Sequence, residues 1–236
     1  MMAASSSELT IGSLALTLHR KAIKNLHISV LPPDGRIRVS APENMTETAI
    51  RMAVIKRIPW IKKQKQSFIE QPRQSARQMV NGESHYVWGQ RYRLEVVEQY
   101  GRHSINLKGL HKLVLTVSPN TTSENRKKVL DAFYRAELKQ RITDLLEKWL
   151  PRLGVTLCDW RVQQMKTKWG SCHVQNKRIL LNLELAKKPP ECLEYIVVHE
   201  LVHLLERKHS ERFKALLDTF YPSWREVKAR LNQFSI

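Results

Sequence analysis

Residues 189–213 of this 236-residue chain read PPECLEYIVVHELVHLLERKHSERF. A proline pair suits the first turn of a helix, because the N–H group that proline lacks has no partner there. Apolar side chains then recur at helical spacing, at Leu193, Ile196, Val197, Leu201 and Leu204. A stripe of this period predicts a helix that packs one face against a core. A polar side chain within such a helix needs a partner, because burial without one is costly.

The pattern H-E-x-x-H lies inside this predicted helix and consists of His199, Glu200 and His203. Residues four apart project from one helix face, so both histidines can offer ring nitrogens to a single metal ion. Glu200 is rotated by about 100° from His199, which places it beside the ion. Zinc lowers the pKa of a bound water to about 7, and Glu200 can take the proton that this water releases. The pattern therefore predicts a catalytic zinc site with Glu200 as general base.

A catalytic zinc site needs a third protein ligand and an open position for water. His209 follows the second histidine by six residues and precedes a predicted helix over 211–220, which Ser210 can cap. A chain that turns before this helix can bring His209 back to the metal. Glu206 and Glu211 are the alternatives, and the preference of zinc for imidazole favours His209. The sequence thus predicts one Zn²⁺ per chain, and the predicted ligands are His199, His203 and His209.

Three further segments carry a resemblance to a known family: KWGSC at 168–172, ILLN at 179–182 and WI at 60–61. Together with HELVHL at 199–204, HS at 209–210 and Phe213, they make the chain similar to the YgjP-like zinc metallopeptidases. That family is related to the WLM-type and SprT-like proteases. The resemblance covers roughly residues 26–231 and is strongest after residue 166. The chain has Lys208 and Lys214 where the family often has Asn and Trp, so no substrate preference is carried over.

The resemblance implies a zinc-dependent metallopeptidase in which the three histidines bind zinc and Glu200 is catalytic. It also implies a zincin-like α+β fold, in which the active-site helix packs on a small antiparallel sheet. The edge strand of such a sheet can pair with an extended peptide substrate. The candidate strands in this chain are 167–172 and 178–183.

Near Pro119 the hydrophobic pattern of the chain changes from one that is mostly typical of strands to one that is mostly typical of helices. The predicted elements are strands within 11–40 and 82–117, a turn at 34–35, helical segments within 46–69, a polar loop at 70–78 and a long helix from 124 to about 150. Ser123 is the predicted cap of the long helix. These elements predict a β-rich part over residues 1–120 and a mostly helical, zincin-like part over 121–236, or one continuous domain.

The chain is strongly basic, with 40 Lys and Arg against 22 Asp and Glu and a net charge of +18. Such an excess favours a polyanionic partner such as DNA or RNA, although a solvated basic surface is the simpler explanation. A protease attached to DNA is one alternative hypothesis. A nucleic-acid-binding module with structural zinc is another, but structural zinc needs a closed four-ligand site, and Glu200 beside the first ligand would have no role in it.

Composition excludes several classes of protein. Three cysteines, Cys158, Cys172 and Cys192, argue against a disulfide scaffold and fit a reducing compartment. No run approaches the roughly 18 apolar residues of a membrane span. The apolar run at 11–18 follows no positive residue and leads into a β-like pattern, which is not typical of a secretory signal. The sequence therefore predicts a cytoplasmic protein that acts on a protein or peptide and has no membrane partner.

Several polar residues are candidates for supporting roles. Zinc-bound histidines need acceptors behind them, and the candidates are Glu194, Asp218 and Asn182. Tyr195 lies four residues before His199 on the same helix face, where it can pack or donate a hydrogen bond to an oxyanion. Tyr221 can also donate a hydrogen bond to an oxyanion. The pair Cys172-His173 is a further candidate for a redox or metal role, for which packing is the simpler interpretation.

Overall fold

The computed structural model describes residues 6–31, 35–70 and 77–233, without the side chains of 67–70. Contacts divide the chain into two compact units, Met1–Arg73 and Gln74–Ile236. The composition shift near Pro119 therefore lies inside the second unit. The turn predicted at 34–35 and the loop predicted at 70–78 fall partly outside the described residues. No described helix is both long enough and apolar enough to cross a membrane.

The first unit contains a four-stranded sheet and two helices. Its elements are β1 (Ser6–Ile11), β2 (Leu14–Lys21), β3 (His27–Leu31), β4 (Arg36–Pro42), α1 (Glu47–Lys56) and α2 (Ile58–Glu70). The sheet order is β1-β2-β4-β3, with β2 and β4 parallel. Alternate apolar side chains of the strands form one core with Ile50 and Val54 of α1 and Ile61 of α2. The strands predicted within 11–40 and the helical segments predicted within 46–69 are thus confirmed, whereas β1 precedes the predicted range.

A second four-stranded sheet and a long helix begin the second unit. The strands are β5 (Ser84–Val87), β6 (Gln90–Glu98), β7 (Ser104–Lys108) and β8 (Lys112–Val117), in the order β5-β6-β8-β7. Helix α3 (Ser123–Leu153) shares a core with this sheet. The predicted cap Ser123 is wrong, because Thr122 caps the helix by accepting a hydrogen bond from the backbone N–H of Asn125. Both residue types cap helices well, so sequence alone does not choose between neighbours.

The remaining elements build the candidate site. They are β9 (Asp159–Gln163), β10 (Gly170–His173), β11 (Arg178–Asn182), a 3-10 helix (Leu183–Lys187), α4 (Pro190–Val202), α5 (Glu211–Phe220) and α6 (Trp224–Asn232). Nine of the 13 residues of α4 are buried, because the helix packs against α3, α5, α6 and the sheet of β10 and β11. The predicted α+β class is confirmed, with a β-rich N-terminal part and the motif-bearing helix on a small sheet.

Only one of the two strands predicted to dock a peptide lies at a sheet edge. The sheet order is β10-β11-β9, so β11 pairs antiparallel with β10 on one side and parallel with β9 on the other. The prediction for residues 178–183 is therefore wrong, because the backbone groups of β11 are already paired. The outer edge of β10 faces no other strand in the described parts of the chain. An edge of this kind can accept a further strand.

Asn182 fixes the loop that leads into β10. Its side chain is fully buried at the end of β11. The Oδ1 atom accepts hydrogen bonds from the backbone N–H groups of Met165 (3.3 Å) and Glu184 (3.2 Å). The Nδ2 group donates to the carbonyl oxygens of Met165 (2.9 Å) and Lys168 (2.7 Å). One side chain thus holds both ends of the segment 165–168.

Asn182→Ala is expected to destabilise the protein by about 1–3 kcal/mol, because it leaves these backbone groups without their partner. Urea unfolding followed by circular dichroism measures the change. Asn106→Ala on the exposed surface of β7 is the matched control, with an expected change within about 0.5 kcal/mol. Equal unfolding midpoints for the two variants would contradict the role given to Asn182.

Candidate metal centre and cleft

The structure brings His199, His203 and His209 together at the end of α4 and in the turn after it. One nitrogen from each ring lies within 4.8 Å of the other two. Nε2 of His209 lies 3.0 Å from Nε2 of His199. In the described parts of the chain, neither Glu206 nor Glu211 belongs to a cluster of this kind. Of the three candidates for a third ligand, His209 is therefore the one that the fold brings to the other two histidines.

A tight turn between α4 and α5 places His209. The backbone N–H of Glu206 still bonds to the carbonyl of Val202, and the chain then leaves the helix axis. Ser210 caps α5 by accepting a hydrogen bond from the backbone N–H of Phe213 (3.3 Å), so the predicted cap and helix are confirmed. The Glu206 carboxylate accepts the backbone N–H of Lys208 (3.1 Å), which ties this rival ligand into the turn.

Phe213 supports all three imidazoles. Its ring centroid lies 4.9 Å from that of His199, 4.7 Å from that of His203 and 4.8 Å from that of His209. The phenylalanine is 2% exposed, so it forms a fixed apolar floor for the cluster. Sequence reasoning reached this residue only through the resemblance. Its position on the first turn of α5, three residues after the cap, is the signal that places it beneath the rings.

The Nδ1 atoms of the two helix histidines face partners within the protein. His203 Nδ1 lies 3.2 Å from the carbonyl oxygen of Glu206, which accepts the proton of an Nδ1–H group. His199 Nδ1 lies 3.5 Å from the hydroxyl of Tyr195. An Nδ1–H group held in this way leaves the Nε2 lone pair for a metal ion. The hydroxyl of Tyr195 thus contacts the His199 ring at Nδ1, while the tyrosine ring packs in the core.

The three acceptors proposed from the sequence are wrong, because each has other partners. Glu194 accepts hydrogen bonds from Lys148 and Trp149, Asp218 accepts from Trp224 and Arg225, and Asn182 holds the loop before β10. Glu194 precedes His199 by five residues, which rotates it by about 140° around the helix. Tyr221 likewise donates to the carbonyl of Glu191 (3.3 Å). None of these pairings can be deduced from spacing in the chain.

The donor set fits a zinc ion. Burial lowers the pKa of His199 to about 3 and lowers that of His203, and the neighbouring histidines act in the same direction. These two imidazoles are therefore neutral near pH 7, and neutral imidazole is the form that binds metal. Three converging nitrogens leave one position of a tetrahedron for another ligand, as in catalytic zinc sites.

Glu200 packs against the backbone of β10. Its side chain is only 5% exposed, and a Cβ placed on Gly170 would lie 2.6 Å from its Oε1 atom and 2.9 Å from its Cγ atom. Glycine at position 170 therefore makes the room in which the carboxylate lies. Burial raises the pKa of Glu200 to about 8, while Lys168 acts in the opposite direction. The glycine in the segment KWGSC is thus explained by its contact with Glu200, which the sequence alone did not show.

The histidines and Glu200 line a cleft of about 630 Å³. One side of the cleft is β10 with its flanking residues, and the other side comes from α4 and the C-terminal end of α6. Cys172 also lines it, and burial raises the pKa of this thiol to about 11, with the charge of Glu200 adding to the effect. Cys172 and His173 do not join the histidine cluster, and all three cysteines are free thiols.

Comparison with known proteins gives one family match. The family model described as YgjP-like, metallopeptidase domain, matches residues 24–234. No curated protein gives a significant match.

Two solved structures are also similar. The metallopeptidase zymogen of Pyrococcus abyssi abylysin is 24% identical at a TM-score of 0.37 over 40% of this chain and 98% of its own. That of Methanocaldococcus jannaschii jannalysin is 24% identical at a TM-score of 0.36 over 39% of this chain and 88% of its own.

Proposed function

The chain belongs to the YgjP-like metallopeptidase family, and from this premise we propose that it is a zinc-dependent peptidase with Glu200 as its general base. The observation that carries the proposal is the cluster of three histidine nitrogens within 4.8 Å, in one cleft with a buried glutamate. The matched residues 24–234 include all four side chains.

His199, His203 and His209 are the residues that would hold the ion. Zinc bound by them supplies a Lewis acid, which polarises a carbonyl and acidifies water. The positive charge of an ion held there would favour the ionised form of Glu200 against the effect of burial. The Glu200 carboxylate can then take up a proton from water and return it to the departing amine. Phe213 and the partners of the Nδ1 atoms keep the rings in place, so the ligand atoms need little rearrangement on binding.

The edge of β10 gives an extended peptide a place to bind. Residues Gly170–His173 border the cleft, and their outer edge is open in the described parts of the chain. A peptide that adds to this edge would satisfy its own backbone groups with those of β10. Since Glu200 lies directly against Gly170, such a peptide would pass beside the general base.

Zinc analysis and a cleavage assay test the proposal. We expect about one zinc per chain in the wild type by elemental analysis, and a near-complete loss in His199→Ala and His203→Ala. The exposed His111, in the turn before β8, provides the matched control His111→Ala, which should keep its zinc. Full zinc occupancy in both ligand variants would contradict the proposed site.

For the activity arm, the wild type is incubated with unfolded casein, and new N-termini are counted by mass spectrometry. We expect new termini that disappear with a chelator and return when zinc is added back. New termini that survive chelation, or that also form with His203→Ala, would contradict a zinc peptidase.

A nucleic-acid partner stays a prediction, since it rests on the net charge of +18. An electrophoretic mobility shift assay with duplex DNA and with RNA, at low and high salt, tests it. Binding through phosphate contacts weakens steeply as salt rises. Absence of binding at low salt would contradict this prediction.

A further inference from the structure

The exposed charges of the cleft have one sign. Three cationic side chains line it: Lys168 before β10, Arg207 in the turn after α4, and Lys228 of α6. We call these residues the rim cations. Among the described residues that line the cleft, Glu200 has the one carboxylate, and that carboxylate is buried. The solvent-facing charge of the cleft is therefore positive on both of its sides.

No carboxylate of the described residues forms an ion pair with these side chains. On α6, Arg225 pairs with Asp218 and Arg230 pairs with Glu191. Lys228 lies between these two arginines in sequence, yet it has no carboxylate oxygen within 4.0 Å among the described residues. The same is true of the other two rim cations in the described part of the chain. On this helix, the two arginines that do not line the cleft are paired with carboxylates, whereas the lysine that lines it is not.

The Nζ atom of Lys228 lies over the ring of Trp224, 5.6 Å from its centroid, a contact that leaves the positive charge in place. Cations without a carboxylate partner act on whatever enters the cleft. Protein walls of low dielectric concentrate the field inside a cleft and raise the local concentration of anionic ligands. Between the rim cations, the lining also includes apolar surface from Trp169, Ile196 and Leu231. A volume of about 630 Å³ is that of a site for a small molecule or a few residues of one chain, and it is too small for a duplex. The occupant that fits is a single extended chain with negative side chains.

We propose that this cleft selects acidic peptide segments, with Asp or Glu side chains on both sides of the scissile bond bound by Lys168, Arg207 and Lys228. The proposal rests on the proposed function, because it assigns a substrate class to the same site. Opposite charges placed in this way add to the selectivity and the association rate more than to the total affinity.

The first test is a binding measurement on zinc-loaded Glu200→Gln protein, which would retain the peptide without cutting it. The probes are two fluorescein-labelled twelve-residue peptides of one sequence, with Glu at four positions in the first and Gln at the same positions in the second. Anisotropy titration should give roughly tenfold tighter binding of the Glu peptide at low salt, with a smaller difference at high salt. Equal affinities at low salt would overturn the proposal.

Charge reversals locate the effect. Lys228→Glu and Arg207→Glu should each remove most of the preference for the Glu peptide, by roughly fivefold or more. Lys108→Glu on the exposed surface of β7 makes the same change in net charge outside the cleft and should keep the preference. A loss of the same size in Lys108→Glu would overturn the proposal, because the general charge of the surface would then explain the binding.

Activity separates this proposal from the one on which it rests. Wild-type cleavage of both peptides at equal kcat/KM would overturn the substrate class and leave the peptidase standing. If the rim cations cause tighter binding of the Glu peptide but the wild type cleaves neither peptide, the result would support the specificity for acidic peptides. It would contradict the proposal that the protein is a peptidase. Single-stranded DNA is added as a competitor in the same titration. If the Glu and Gln peptides bind with equal affinity and this DNA displaces the Glu peptide, the proposal is overturned in favour of a nucleic-acid ligand.

Discussion

Glu200→Gln is expected to keep its zinc and to lose between about 10²- and 10⁴-fold in kcat/KM, the usual contribution of a general base. Glutamine has the shape of glutamate, so it fits the space beside Gly170 in which the 5% exposed side chain lies. It cannot accept a proton at neutral pH. Hydrolysis of a quenched fluorescent peptide measures the rate, and elemental analysis of the same sample measures the zinc.

The matched control for this variant is Glu211→Gln. Glu211 lies in the first turn of α5, its side chain is 90% exposed, and it pairs with Lys214 (2.6 Å). It was also an alternative third ligand in the sequence. We expect its replacement to change neither the zinc content nor the rate. A fully active Glu200→Gln enzyme would refute the role of Glu200. Loss of zinc in Glu211→Gln would instead indicate that Glu211 is the third ligand.

Gly170→Ala is expected to lower kcat/KM by roughly 100-fold or more, since a displacement of about 1 Å at a catalytic group can cost that much. The new methyl group would lie 2.6 Å from Glu200 Oε1, 2.9 Å from its Cγ atom and 2.9 Å from Ile196 Cγ2. Either β10 or the Glu200 side chain must then move. We also expect a loss of about 1–3 kcal/mol in the free energy of unfolding, which is typical of overpacking.

Ser171→Ala in the same strand is the control for Gly170→Ala, because it removes one oxygen and adds no atom near Glu200. Zinc content should be unchanged in both variants, since the histidines hold the ion without Gly170. Urea unfolding and the quenched peptide assay give the two readouts. A Gly170→Ala enzyme as active as Ser171→Ala would show that contact with the strand does not position Glu200.

The sequence predicted the elements whose signals are local. The apolar stripe from Leu193 to Leu204 and the four-residue spacing of His199 and His203 depend only on helical period. The structure has the stripe up to Leu201 and His199 on α4, with His203 at the C-cap and Leu204 in the turn that follows. Ser210 and the start of α5 are also local, because a cap bonds to a backbone group three residues away. Local signals failed where two neighbouring residues were equally suitable, as at Thr122 and Ser123. They also left β9 and α6 without a prediction.

Tertiary structure alone decided the rest of the site. Three features of the site depend on contacts that the periodicity of the sequence does not reveal. They are the closeness of Glu200 to Gly170, the position of β10 at the sheet edge and the partners of the Nδ1 atoms. The sequence favoured His209 by its chemistry, but only the turn after α4 brings its nitrogen to 3.0 Å from that of His199. The physical reason is that spacing fixes directions within one helix or strand, whereas packing fixes which helices and strands meet.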